Sequence, residues 1–406
     1  MKSLIILKGV AKTEKLRWVE REGLKNFFLD IDVLKKLYSS PELLVPFKEV
    51  LNRSYGDTVY SEFLKVFITK LSKGCLIVLD PENECLKVFE SLAFIFGYTI
   101  FYVYQSIPKD YMKNQKAYGL PYYIPKRKDE IKREVVEHLD FTEEGKHVIK
   151  KYRDVELYWE KKAKRENWIG GQGKKILHVS DIHSNYSLFK LLPNFKDYGL
   201  TIFHGDYIDG PEEGGSRAMI DEVIRRGARS GIVWLEGNHE LRLRKQLGLI
   251  MLNVGGRNRE VRELLYESIP ADYFKTTYKE FMDLNPEQAK TYLDRLNRIL
   301  KLFVIIDTGK LKYVCTHSGL KYIEQISPKF IGNVIYGNRD MNKVDKEFAA
   351  HTSGSGWWSV HAHCKYYGDW NTHKYRNVVN LDPQTNGEVI YAEQEKNSWK
   401  TIQLGK

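Results

Sequence analysis

The chain has 406 residues, 42% of them hydrophobic, which is enough to bury a sizeable core and long enough for two domains. Its 64 Lys and Arg outnumber 53 Asp and Glu; the net charge of +11 favours a polyanionic partner and carries no information on fold. No apolar run could span a bilayer, no secretory h-region opens the chain, and Cys75, Cys85, Cys315 and Cys364 form no CxxC pair, so a membrane protein, a disulfide framework and a zinc finger are excluded and a reducing cytoplasmic setting is expected.

In chain order, Ser3 to Leu7 reads as an apolar strand ending at Gly9, and Leu16, Val19 and Leu24 fall at helical spacing behind it. Against the phosphate-cradling template G-x-x-x-x-G-K-[ST], Gly9 and Lys15 are present. Glu14 stands at the second Gly and would repel phosphate, while Leu16 replaces the hydroxyl that holds magnesium. Phe27 to Lys35 (FFLDIDVLK), with Asp32 in its acidic turn, resembles the strand and turn that supply the general base in polynucleotide kinases. Cys75 to Asn83, with Asp80, is similar to a later kinase strand, and Lys113 to Lys116 lies where such kinases carry a basic segment. Residues 1 to 165 are therefore expected to form a P-loop kinase-like parallel-sheet domain with a degenerate nucleotide site at Gly9, Lys15, Asp32 and Asp80.

From Pro125 to Asn167 the chain is densely charged and reads as solvated helix surface with one apolar face at Ile131, Val135, Val136 and Leu139. Lys161 to Arg165 (KKAKR) could hold a polyanion, and Ile169 to Gly173 reads as a linker.

Three short apolar, β-prone runs follow, each ending in polar residues: KILHVSDIH, TIFHGDYID and GIVWLEGNHE. A lone His317 and the pair His361 and His363 follow two further β-prone runs. Strands delivering carboxylates, imidazoles and an amide to one sheet edge are how an α/β fold builds an active site. That mixed donor set suits divalent first-row ions, manganese foremost, with iron, nickel or zinc as alternatives.

D-x-H, G-D-x-x-D, G-N-H-E, a lone H and H-x-H in this order resemble the calcineurin-like metallophosphoesterases, leaning to their phosphoprotein-phosphatase-like branch. The resemblance implies an α/β fold for residues 166 to 406, a β-sandwich flanked by helices, with two divalent ions that activate water. It implies Asp181 and His183 at the first ion, Asp206 bridging, and Asn238, His317 and His361 at the second. His363 is expected to complete the first site, with Asp382 as its competitor. His239 is implied as the general acid for the leaving oxygen and Asp209 as the residue that orients it. His204 is expected to be structural, and Trp357 and Trp358 to be core.

The chain departs from that branch at Gly210 and Glu236, where two phosphate-gripping Arg would stand. Arg339 resembles a phosphate-contacting Arg of related bacterial enzymes; Arg217, Arg257 and Arg259 are weaker substitutes. A kinase-like module followed by this phosphatase is similar to the end-healing enzymes of RNA repair. The expected substrate is therefore a nucleic-acid or nucleotide 3′-phosphate or 2′,3′-cyclic phosphate. A broad protein or dinucleoside-polyphosphate phosphatase and a non-catalytic nucleic-acid-binding scaffold are the alternatives.

Overall fold

Leu4, Ile5 and Ile6 in β1 (Lys2–Lys8) are all fully buried, which requires a strand covered on both faces. In the computed structural model β1 lies at the centre of a five-stranded sheet of order β2-β3-β1-β4-β5, with every pairing parallel. The structure describes residues 2–9, 12–31, 53–81, 86–104, 146–227, 229–253, 259–336, 340–363, 375, 377–382, 388–395 and 398–405. The other strands of this sheet are β2 (Phe28–Asp30), β3 (Ile77–Asp80), β4 (Tyr98–Tyr104) and β5 (Lys146–Ile149). Helices α1 (Lys12–Arg21), α2 (Arg53–Ser72), α3 (Leu86–Ile95) and α4 (Tyr152–Glu166) connect and follow them. Phe63, Phe67 and Phe89 meet edge to face between α2 and α3, at centroid distances of 5.9 and 5.1 Å.

The chain divides into two compact units, Lys2–Trp159 and Glu160–Lys406. Part of the charged stretch, read as helix surface, is instead strand: β5 pairs with β4 through Lys146 to Ile149, too short an apolar alternation to stand out between lysines. The reading of Ile169 to Gly173 as a linker also fails. Trp168–Gly170 forms edge strand β6, parallel to β11 (Phe303–Asp307), and Gly171 N–H donates to the Asp307 carbonyl at 2.8 Å.

The second unit is a sandwich of two sheets. One has the order β10-β9-β8-β7-β15-β16, the other β14-β13-β12-β11-β6. Its strands are β7 (Lys175–Val179), β8 (Leu200–Phe203), β9 (Ile232–Leu235), β10 (Leu300–Lys301), β12 (Lys312–Thr316), β13 (Trp357–His361), β14 (Val378–Asn380), β15 (Val389–Glu395) and β16 (Ser398–Leu404). Alternate residues of the two inner faces interlock: Ile202, Leu235 and Ile390 from one sheet, Val304, Ile306, Cys315 and Val360 from the other. Helices α5 (Gly215–Arg226), α6 (Asn238–Met251), α7 (Arg259–Glu267), α8 (Pro286–Ile299) and α9 (Met341–His351) complete the unit. The mixed α/β class, with a parallel sheet at the N-terminus and sheets flanked by helices after it, is the one expected from the sequence.

Candidate metal centre

The parallel strands β7, β8 and β9 end side by side, so their C-terminal loops converge. The loops are laced backbone to backbone: Ile182 and His183 N–H both donate to the Asp206 carbonyl at 3.1 and 2.9 Å, and Ser184 N–H to that of Tyr207 at 3.0 Å. Among the described residues, the only non-glycine positions with positive φ are His183, Ser184, Asp206 and Asp209, at 45°, 59°, 51° and 64°. Strained backbone of this kind persists where the surroundings fix it, and it clusters at functional sites. Gly237 is required by close approach, since a Cβ there would lie 2.2 Å from Asp206 Oδ1.

Asp206, 1% exposed, is the focus of two groups of converging donor atoms: one with His183 and His239, the other with His317 and His363. No Lys or Arg pairs with Asp206 among the described residues, so its buried charge calls for another cation. His183 Nδ1 faces the Ile208 carbonyl at 3.2 Å, which turns Nε2 towards Asp181 Oδ2 at 3.9 Å and Asp206 Oδ2 at 4.0 Å. Those gaps are too long for hydrogen bonds but fit an ion roughly 2.0–2.2 Å from each atom. Burial pushes His183 down to about 4, so at neutral pH it offers a lone pair.

His317 is held likewise, its Nδ1 donating to the His204 carbonyl at 2.7 Å. Its Nε2 faces Asn238 Oδ1 at 3.1 Å and Asp206 Oδ2 at 3.4 Å. Burial opposes charging of His317, but the Asp206 carboxylate outweighs it and raises the imidazole above its ordinary value. A proton satisfies these oxygens; a divalent ion would satisfy them in its place. His363 packs against His317 with ring centroids 4.7 Å apart, and burial, then His317, hold it down at about 3.

His361 is held from its far side, and its Nδ1, buried and without a hydrogen-bond partner among the described residues, is left to meet an ion. Its Nε2 donates to both oxygens of the buried Asp345, at 3.1 and 3.2 Å. The strand ends at His361, and the next two N–H groups, of Ala362 and His363, both donate to the His317 carbonyl at 3.0 Å. This local bend breaks the alternation that would keep His361 and His363 on one side. The bend brings His363 to His317 and Asp206. Half-buried Asp382 accepts no place in either group; its N–H donates to Asn380 Oδ1 at 3.0 Å.

His239 Nδ1 lies 2.8 Å from Asp209 Oδ2, while Nε2 points to Asp206 Oδ2 at 3.6 Å. Burial works against its charged form, yet Asp206 and the Asp209 hydrogen bond prevail and raise it above the ordinary value. Asp209 is itself fixed by Thr277 Oγ1 at 2.5 Å and Arg242 Nη1 at 3.0 Å. Arg242 and Thr277 were not singled out from the sequence; the signal for Arg242 is its position four residues after Asn238, on the same helical face. Glu240, quoted within G-N-H-E but given no role, accepts from the N–H groups of Gly237, Asp206 and Tyr207 at 2.8, 3.0 and 2.8 Å. It ties the β8 loop to the start of α6, and burial together with Asp206 raises it to about 7.

The two departures from the protein-phosphatase pattern have physical causes. A Cβ on Gly210 would lie 1.4 Å from the His183 carbonyl oxygen, so no side chain fits. Glu236 is buried and accepts from Arg244 Nε at 2.5 Å, a pair inside the fold. Arg217 is committed to the Glu280 carbonyl and Asp283, and Arg259 to Glu263 on the exposed face of α7. Arg257, Arg339 and Asp32 lie outside the described residues. His204 is fully buried, with Nδ1 donating to the Thr316 carbonyl at 3.0 Å and Nε2 3.3 Å from His178 Nδ1. In the N-terminal unit, Gly9 has a φ of 130° and Lys15 pairs with Asp80 at 2.7 Å, where β1 and β3 end side by side.

The sequence profile of the calcineurin-like phosphoesterases matches residues 174–391, more than half of the chain. Among solved structures the chain is similar to a candidate diadenosine tetraphosphatase at 17% identity, covering 58% of this chain and 97% of that one, with a TM-score of 0.35. It is also similar to a protein serine/threonine phosphatase of Saccharomyces cerevisiae, itself described as similar to human phosphatase PP5, at 12% identity, 69% and 96% coverage and a TM-score of 0.33. No curated protein matches it. With the ordered D-x-H, G-D-x-x-D and G-N-H-E loops gathered around Asp206, the profile match places this chain in the calcineurin-like phosphoesterase family of metal-dependent hydrolases.

Proposed function

We propose that this protein is a binuclear metallophosphoesterase acting on phosphate ends of nucleic acid or nucleotides, a 3′-phosphate or a 2′,3′-cyclic phosphate. The observation that carries the binuclear reading is the place of Asp206 between two separate groups of imidazoles. Asp181, His183 and Asp206 would hold one ion; Asp206, Asn238, His317 and His361 would hold the other, with His363 beside them against His317. Manganese heads the candidates, with iron, nickel and zinc also suited to these oxygen and imidazole donors. When bound, such ions polarise a phosphoryl oxygen and activate water.

The chain's own residues supply the rest. Asp209 keeps the Nδ1 proton of His239 in place and turns Nε2 towards Asp206 and the candidate ions. A His so held can protonate the leaving oxygen. Arg242 is the described cation nearest this pair; its guanidinium also reaches Asp272 at 3.0 Å and is 18% exposed, so it can meet a phosphate at the mouth. We assign to it the grip that the family places at positions 210 and 236. The closed space at Gly210 and the internal Glu236–Arg244 pair disfavour a phosphoprotein substrate.

A basic chain and the N-terminal parallel sheet with Lys15 paired to Asp80 support a nucleic-acid or nucleotide substrate. That sheet resembles a P-loop kinase domain in which Gly9, Lys15 and Asp80 retain a phosphate-facing edge. The test is turnover of 3′-phosphate RNA, a 2′,3′-cyclic nucleotide and a phosphopeptide with manganese. Preference for the RNA or cyclic substrate is expected; preference for the phosphopeptide overturns the substrate class, and no turnover of any of them with each of the four metals overturns the enzyme.

A further inference from the structure

Trp357 was expected in the core, and its neighbour Trp358 does pack there. Trp357 itself points the other way. Tyr313 and Cys315 face the interior of the sandwich, so Lys312, directly opposite Trp357 in the ladder, lies on the outer face with it. Edge-strand Trp168, 37% exposed, meets Trp357 edge to face at 6.4 Å. The Lys312 ammonium lies over both indoles, 5.7 Å from one centroid and 5.4 Å from the other.

The basic end of α4 stands immediately before Trp168 and belongs to the same compact unit. It is tied to both sheets: Lys301 Nζ of β10 donates to the Glu166 carbonyl, and Ile305 N–H of β11 to the Asn167 carbonyl at 2.7 Å. Lys162 and Arg165 pair with Glu166, whereas exposed Lys161 and Lys164 have no ion-pair partner among the described residues. These two, three apart, share one helical face.

We propose that this outer-face platform, Trp168 and Trp357 around Lys312, together with Lys161 and Lys164 on the helix that leads into Trp168, binds single-stranded nucleic acid away from the metal centre. The exposed indole of Trp168, backed by half-buried Trp357, can stack a base, the lysines meet backbone phosphates, and a duplex keeps its bases out of reach. Lys312 opens β12 and His317 follows its end, so the platform lies roughly 16 Å along the strand from the candidate ligands. It thus deepens the nucleic-acid reading above by giving the polymer a second anchor, but its binding requires no metal.

The experiment is titration of the full chain with a short oligouridylate in EDTA, read by tryptophan fluorescence, alongside turnover of 4-nitrophenyl phosphate with manganese. We expect quenching on binding. Trp168→Ala should weaken affinity by roughly 5- to 100-fold, and Trp168→Phe should restore most of it. Lys161→Gln with Lys164→Gln should lower the salt slope by about 1.4, at ~0.7 per single-strand phosphate. Aryl phosphate turnover should not change in any of them. Unchanged affinity in Trp168→Ala, or equal affinity for duplex RNA, overturns the platform. Oligonucleotide binding that behaves as expected in a protein without phosphatase turnover would instead overturn the enzymatic reading alone.

Discussion

His361 Nε2 donates to the Asp345 carboxylate at 3.1 Å inside the fold, and neither side chain is exposed to solvent. The pair leaves the Nδ1 of His361, buried and without a hydrogen-bond partner among the described residues, to meet an ion. His363→Ala should lower phosphoesterase turnover by on the order of 100-fold or more and reduce bound manganese, as should Asp206→Asn and Asn238→Ala. His361→Ala should likewise lower turnover and bound manganese, and it also removes one partner of the buried Asp345. Metal content by elemental analysis, read beside urea unfolding, separates loss of a ligand from loss of packing. Full metal content in His361→Ala would remove His361 from the ligand set.

His239→Ala should slow an alkyl phosphate far more than an activated aryl ester. General acid catalysis is typically worth ~10²–10⁴-fold and matters least when the leaving oxygen is already a weak base. Equal losses on the two substrates, with metal retained, would assign His239 a positioning role.

Arg242→Met should raise KM for phosphate esters and lower kcat/KM by roughly 10- to 100-fold, the effect of losing one charge-assisted contact. Arg242→Lys should recover only part, since a point charge cannot bridge Asp209 and a phosphate as a planar fork does. An unchanged KM in Arg242→Met would remove it from the substrate's path.

Burial holds His178 at about 4, below the ~6.5 of an unfolded chain. The folded protein therefore binds fewer protons there, so this contribution to stability is full above pH ~6.5 and is lost as pH falls towards 4. The loss approaches about 3 kcal/mol. Urea melts at pH 7.5 and 5 should show it, and His178→Gln should reduce the difference, the remainder coming from the other buried histidines such as His183 and His363. An equal pH dependence in that variant would place the proton uptake elsewhere.

The N-terminal unit should not transfer phosphate from ATP or GTP to a 5′-hydroxyl end. Glu14, paired with Arg17 at 2.7 Å, and Leu16, 37% exposed, stand where the phosphates and the magnesium would have to be met. Transfer of radiolabel that disappears in Lys15→Ala would show that the loop tolerates both substitutions.

Each of the three loops around Asp206 was legible because a buried strand must be apolar and its catalytic loop must not be, so the boundary shows in composition. The parallel sheet of the N-terminal unit was legible for the same reason at β1 and β3. What escaped were relations between distant or irregular positions. Asp345 lies 16 residues from His361 with no pattern linking them, and β5 is a four-residue strand between lysines. Thr277 reaches Asp209 across 68 residues, a contact that only the packed helices create.

The close approach of Gly210 to the His183 carbonyl also bears on how this site can change. In protein phosphatases the resemblance puts an arginine at that position, but here substitution alone cannot restore it: any side chain would have to displace the loop that carries His183. Specificity in this chain can therefore drift only through cations that arrive from other elements, as Arg242 does from α6. Laboratory selection for phosphopeptide turnover should accordingly enrich changes around Arg242 and Asp272 and leave codon 210 untouched.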